Sequence, residues 1–269
     1  MPELPEVETI KRSLAVNEGA RISKIETIRP DIIRVKDFEP EAARGLAINR
    51  FQRRGKYLII SLVGDDHNIL VHMGMSGRFY MLEGQAEAYE KHVHFIIHLD
   101  NGKKLLFQDP RRFGGVWLLK DPDTIICKLG KEPLSRDFCA AYLKSIIKNR
   151  RIAIKTLILD QNLISGIGNI YADEALFLAH IRPDREAGSL SEEEAVRLSR
   201  AIKKVLRQGI EKRGTTFRDY RDGNNNRGGF QEHLQVYGRE GEECPVCRSL
   251  IIRERIGGRS SHYCESCQK

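Results

Sequence analysis

Four of the six cysteines in this 269-residue chain stand at Cys244, Cys247, Cys264 and Cys267, as two C-x-x-C pairs with sixteen residues between them. A segment of about 35 residues at the end of a chain is too short to bury a core that offsets its own ordering entropy. It needs a staple. Two thiolate knuckles at this spacing can meet on one tetrahedral Zn2+, and metal binding then supplies the folding free energy. Four sulfurs leave no open position, so the ion is expected to be structural. Cys127 and Cys139 have no partner spacing and read as packed side chains.

Metal is preferred to disulfides here because the chain reads as cytoplasmic. The start, Met1-Pro2-Glu3-Leu4-Pro5-Glu6, has neither the basic nor the apolar region of a signal peptide, and no apolar run reaches the length of a membrane span. The formal net charge of +8 favours a polyanionic partner through phosphate neutralisation and counterion release. Arg248, Arg253, Arg255 and Arg259 lie between the knuckles and suggest a phosphate-contacting hairpin.

The rest of the chain divides by hydrophobic period. Val7, Ile10 and Leu14 predict a short amphipathic helix from Pro5 to Leu14. From Ile22 to Leu119 the texture is β, with runs at Tyr57 to Val63, Asn68 to His72 and His94 to Leu99, and Asp100-Asn101-Gly102 marks a hairpin before Lys104. Many short strands with glycine turns read as a sandwich. After Gly130-Lys131-Glu132-Pro133 the period turns helical. Ser135 is expected to cap a helix to Lys148; further helices fit Ala153 to Asp160 and, after Ser165-Gly166-Ile167-Gly168, Ile170 to Ala179. Ser191 and Glu194 form a capping box ahead of the stripe Ala195, Leu198, Ile202, Val205 and Ile210, and Gly214 ends that helix. Thr215 to Gly229 is polar and reads as a mobile loop. The expected class is α+β, with a sandwich domain at 1–130, a helical domain at 134–229 and a zinc module at 235–269.

Two local features bear on chemistry. Removing Met1 would expose the secondary amine of Pro2, which can attack an aldehyde carbon such as C1′ of an opened deoxyribose; Glu3 and Glu6 stand beside it as proton carriers. Ile167-Gly168-Asn169 opens a helix after a glycine turn, where unpaired N–H groups favour an anion.

Met1 to Thr9, His72-Met73-Gly74-Met75-Ser76-Gly77, Asp109-Pro110-Arg111-Arg112-Phe113-Gly114, Gly166 to Ala172 and the terminal cysteine module occur in this order, and together they resemble the bacterial formamidopyrimidine-DNA glycosylases over the whole chain. The resemblance implies an N-terminal β-sandwich, a helix–two-turn–helix domain with a zinc finger, and duplex DNA lying between them. It implies a monomeric bifunctional glycosylase and AP lyase acting on DNA with oxidised purines, needing one structural Zn2+ and no redox or organic cofactor. Pro2 is then the nucleophile and Glu3 the acid/base for ring opening and elimination, with Lys56 and Arg259 at the reaction centre on phosphate. His72 and Asn169 match phosphate-binding positions, and Lys155 matches a lysine linked to damage recognition. Met75, Arg111 and Phe113 match the residues that fill the gap left by the extruded nucleotide, while Glu6, Thr215 and Thr216 match positions around the flipped base. Arg112 is left open between function and a structural pair. Leu4-Pro5-Glu6 resembles the purine branch rather than the sister endonuclease VIII family.

Overall fold

The computed structural model describes residues 1–64, 66–84, 89–217 and 220–269. The chain forms two compact units. One comprises residues 1–127 and 212–231; the other comprises 128–211 and 232–269. Residues 212–229, expected to continue the helical domain, are thus built into the first unit.

The first unit opens with α1 (Leu4–Leu14). Strands β1 (Ile22–Thr27), β2 (Ile33–Lys36), β3 (Ile48–Arg54), β4 (Tyr57–Leu62), β5 (Asn68–His72), β6 (Arg78–Leu82), β7 (Val93–Leu99), β8 (Lys104–Gln108) and β9 (Gly115–Leu119) follow. They form a five-stranded sheet, β2-β9-β5-β4-β3, and a four-stranded sheet, β1-β7-β8-β6. All pairs are antiparallel except β2 with β9. Period-2 alternation explains the sandwich. Leu58, Ile60 and Leu62 of one sheet and Phe95, Ile97 and Leu99 of the other enter one shared core, together with Val7, Ile10 and Leu14 of α1. The intervening residues are also apolar, and they pack on the outer faces: Ile59 with Leu70 and Leu119, and Ile96 with Leu106 and Tyr80. The turn at Asp100-Asn101-Gly102 joins β7 to β8 and sets Phe95 opposite Phe107 and Ile97 opposite Leu105.

The polar stretch Thr215 to Gly229, read as a mobile loop, makes a set of hydrogen bonds of its own. Thr216 Oγ1 donates to Tyr220 O (3.0 Å) and accepts from Gly228 N–H (2.9 Å). Asp222, fully buried, pairs with Arg213 and accepts the amides of Asn224 (3.0 Å) and Asn226 (2.9 Å). Met81 N–H donates to Gly223 O at 2.7 Å, and Tyr220 joins the sandwich core. Arg218 and Asp219 of this stretch lie outside the described residues.

Helix α2 (Asp123–Ile126) ends the first stretch of the first unit, and the second unit contains the helices α3 (Ala140–Ile147), α4 (Ile154–Leu159), α5 (Asn169–Leu178) and α6 (Glu192–Glu211), then the hairpin β10 (Ile252–Ile256) and β11 (Arg259–Tyr263). The capping box of α6 forms as expected: Ser191 N–H donates to Glu194 at 2.8 Å and Glu194 N–H to Ser191 Oγ at 3.3 Å. Gly209 interrupts its helical propensity because a Cβ there would lie 2.5 Å from the Tyr171 ring of α5. Ser135 does not cap α3, which begins five residues later with Cys139 at the N-cap position. The intervening segment is used for packing instead: Phe138 is fully buried and Ser135 O accepts from Lys203 Nζ at 2.9 Å. Cys127 and Cys139 are both exposed, contrary to expectation, because each sits at the end of a helix. Among the described residues no helix is long and apolar enough to cross a membrane.

Candidate functional site

A chain terminus is ordinarily a frayed, exposed segment. Here Pro2 and Glu3 are buried and only Met1 is exposed. The reason is a carboxylate. Glu6 Oε2 accepts the Glu3 N–H (2.8 Å), closing a capping box at the start of α1, while Glu6 Oε1 accepts the Thr215 N–H (2.7 Å). One buried side chain thus fixes the positions of Pro2 and Glu3 and binds them to the segment carrying Thr215 and Thr216, both also buried. Gly214 permits this approach: its φ is +81°, and a Cβ would meet the Glu6 side chain at 2.9 Å. Glu3, Glu6, Thr215 and Thr216, which the sequence reading assigns to one site, are therefore brought together.

Lys56 lies in the two-residue turn Gly55-Lys56 between β3 and β4, with glycine (φ +56°) at the first central position as a type II′ hairpin requires. Arg53 braces this turn by donating to Gly55 O (3.0 Å) and pairing with Glu8 of α1 (3.1 Å). His72 ends β5 opposite Tyr57, whose ring centroid is 4.9 Å from its own. Burial first, and then the Lys56 cation, hold the His72 imidazole low, at about 4, so it is neutral near pH 7. Its Nδ1 accepts the Gly74 N–H at 3.2 Å, which leaves the proton on Nε2 and makes that nitrogen a donor.

Two short loops follow from β5 and β8. The first presents Met75, 48% exposed, and the second Arg111, exposed, and Phe113, 63% exposed. The loops are joined through Asp109, which is fully buried: it accepts Ser76 Oγ–H (2.7 Å), Arg111 N–H (3.2 Å) and Gly114 N–H (2.8 Å). Their backbones touch at glycines, since a Cβ on Gly74 would lie 2.4 Å from Gly114 N. Arg112, with φ +55°, pairs with Asp31 at 3.2 Å on the surface. Asp109 and Ser76 were within quoted motifs, but nothing in the sequence gave them this joining role.

In the second unit the four cysteine sulfurs lie within 4.8 Å of one another. The separations Cys244–Cys267 (3.8 Å) and Cys247–Cys264 (3.4 Å) bracket the value of about 3.8 Å that tetrahedral Zn–S bonds of about 2.3 Å impose. Hydrogen bonding by Ser249 brings the Cys247 thiol down to about 6, which favours the thiolate a metal needs. The donor set therefore fits Zn2+. Asn169 is the first residue of α5, after Gly168 at the N-cap, and its Nδ2 donates to Ser260 O of β11 (2.8 Å) while its buried Oδ1 has no hydrogen-bond partner. Arg259 begins β11 after the Gly257-Gly258 turn and is exposed.

Lys155 is placed differently from its expected role at DNA. It is fully buried: Nζ pairs with Asp173 Oδ1 (2.6 Å) and donates to Ser260 O (2.7 Å) and Ser261 Oγ (2.8 Å). Asp173 Oδ2 in turn accepts the His262 N–H at 2.9 Å. The ammonium has no surface to offer a phosphate, and its partners instead fasten β11, which carries Arg259, to α4 and α5. Glu174 does the same for the chain entering the zinc module by accepting the amides of Gln235 (2.9 Å), Val236 (3.0 Å) and Tyr237 (2.9 Å).

Comparison with known proteins matches three family models: the formamidopyrimidine-DNA glycosylase N-terminal domain over residues 1–116, the H2TH domain of the same enzymes over 129–221, and the zinc finger found in FPG and IleRS over 241–269. The formamidopyrimidine-DNA glycosylase of Syntrophomonas wolfei is 56% identical over 269 residues, covering all of both chains. Two solved structures of Lactococcus lactis Fpg are similar along their length. A mutant in complex with Fapy-dG-containing DNA has a TM-score of 0.92 and 34% identity, with 100% of each chain covered. A complex with DNA containing an abasic site has a TM-score of 0.91 and 33% identity, with 99% of each chain covered.

Proposed function

Since this chain belongs to the formamidopyrimidine-DNA glycosylase family, we propose that it excises oxidised purines (8-oxoguanine and formamidopyrimidines) from duplex DNA and then cleaves the strand, with Pro2 as nucleophile. The observation that carries this reading is the buried, hydrogen-bonded chain start, in which Glu6 holds Glu3 and Thr215 together. An arrangement of that kind serves a terminal nucleophile and is otherwise an unusual use of a terminus.

While Met1 is attached, the Pro2 nitrogen is an amide and cannot attack. Met1 is 46% exposed and open to removal. The released secondary amine then bonds to C1′ as the C1′–base bond breaks, and the base leaves with a proton. Glu3 protonates O4′ as the C1′–O4′ bond opens, giving an iminium. That cation acidifies C2′. Loss of a C2′ proton expels the 3′ phosphate by β-elimination, a further proton loss expels the 5′ phosphate by δ-elimination, and water releases the sugar fragment and Pro2.

Lys56, His72, Asn169 and Arg259 contact backbone phosphates in this reading, with His72 as an uncharged Nε2–H donor. Met75, Arg111 and Phe113 enter the stack in place of the extruded nucleotide, offsetting a flipping cost of a few kcal/mol. Glu6, Thr215 and Thr216 line the site of the flipped base. Cys244, Cys247, Cys264 and Cys267 hold one structural Zn2+, which keeps the β10–β11 hairpin folded. The protein acts as a monomer on double-stranded DNA.

Borohydride trapping tests the reading. Mature protein on a duplex with one 8-oxoguanine opposite cytosine should give a covalent adduct whose labelled peptide begins at Pro2, and Pro2→Gly should abolish it. A protein that binds the duplex yet yields no adduct, there or on an oxidised-pyrimidine duplex, would instead be a binding module.

A further inference from the structure

We propose that Arg34 is a positioning residue for the loop that presents Arg111 and Phe113. Arg34 lies on β2 and is exposed by position, yet its guanidinium is turned onto backbone carbonyls. Nε and Nη2 donate to Gly114 O (3.2 and 2.6 Å), Nη2 also to Arg112 O (2.8 Å), and Nη1 to Asp31 O (3.1 Å). The Arg112 carbonyl belongs to the 112–113 peptide group, just before Phe113, and the Gly114 carbonyl to the 114–115 peptide group, just after Gly114. The peptide group between them is held from the other direction, where Gly114 N–H meets Asp109 at 2.8 Å.

All three peptide planes from residue 112 to 115 are therefore fixed by side chains, in a turn that lies outside any strand until Gly115 opens β9 opposite His72. Arg34 sets two of them and Asp109 the third. The guanidinium is suited to this because its donors form a rigid planar fork, whereas a lysine offers one flexible point charge. An arginine that directs its donors this way commits them to backbone carbonyls although its side chain is exposed. Its consequence is that Phe113 and Arg111 project as a preset wedge rather than from a loop that must order on each insertion.

The inference rests on reading Phe113 as the wedge, and the test separates the two. Single-turnover excision of 8-oxoguanine from a duplex is compared for full-length mature protein, Arg34→Ala, Arg34→Lys, Phe113→Ala and the Arg34→Ala/Phe113→Ala double variant, with cleavage at a preformed abasic site as a second readout. Arg34→Ala should slow excision about tenfold, with a smaller effect at the abasic site, and Lys should restore little. In the double variant, removal of Arg34 should add clearly less than it costs alone, because one of the two side chains that the loop presents is gone. Full additivity would overturn the proposal, as would a fall of about one in the salt slope of DNA binding, which would make Arg34 a phosphate contact. Equal losses on both substrates with a lowered melting temperature would mean a merely structural role. A Phe113→Ala protein that excises normally would bring down the wedge reading and this proposal with it, whereas a slow Phe113→Ala beside a normal Arg34→Ala would bring down the proposal alone.

Discussion

Replacing Lys155 by Met keeps the length and apolar stem of the side chain and removes only its charge. In the folded chain this strands Asp173, which is fully buried and ion-paired to Lys155 at 2.6 Å. It also deprives Ser260 O and Ser261 Oγ of a donor. Breaking a buried pair from one side costs about 3–5 kcal/mol, because the remaining charge keeps its desolvation penalty and loses its compensation. For a unit of about 120 residues, each kcal/mol moves the melting temperature by about 4 °C, so a drop of about 12–20 °C is expected. Scanning calorimetry of the full chain measures it. Lys155→Met/Asp173→Asn, which removes both charges, should recover at least half of the loss. The DNA-binding salt slope of Lys155→Met, measured well below its melting point, should match that of the intact protein, since the ammonium reaches no phosphate. A stability loss under about 1 kcal/mol, or a slope smaller by about one, would refute the reasoning and return Lys155 to the DNA.

Zinc should be present at about one ion per chain if the four thiolates hold it as one tetrahedral site; stripping it with a chelator should abolish DNA binding by unfolding the β10–β11 hairpin that carries Arg259, and added Zn2+ should restore it. Full binding by metal-free protein would contradict this. For His72, imidazole NMR should show a neutral ring down to about pH 5 and a midpoint near 4. The folded value lies below the unfolded one of about 6.5, so the unfolded chain binds the extra proton first. Stability should therefore fall as pH drops from about 6.5 to 4, by roughly 1 kcal/mol per unit, and His72→Phe should flatten that part of the profile; a midpoint near 6.5 would refute the burial argument.

What the sequence made legible is what depends on spacing alone. The four cysteines declare their chemistry by interval, and α6 announces its start through Ser191 and Glu194. The strands β4, β5 and β7 were visible as apolar runs, although which face each residue serves was not, because both faces of the sandwich are covered. The start of α3 was misjudged because Ser135 has the right chemistry for a cap but its backbone is spent on Lys203. The motifs named the candidate site residues, and the residues that frame them were not legible. Arg34 is one arginine among many until its carbonyl partners, some 80 residues away, are seen. Lys155, which the resemblance links to damage recognition, is another such case: nothing in the sequence shows that its ammonium pairs with the buried Asp173 and Ser261.

The first unit is completed by a segment that is made long after the rest of it. At about 5–20 residues per second, a ribosome needs roughly 5–20 s to travel from the end of its first stretch to the end of its second. Throughout that interval the Glu6 carboxylate has no Thr215 amide to receive, since that donor lies 209 residues downstream. The nascent sandwich therefore forms before its chain start is tied to the 212–231 segment, an interval available to the Met1 removal proposed above. Formation of the sandwich and closure of the Glu6–Thr215 hydrogen bond are successive events, ordered in time by the path of the chain.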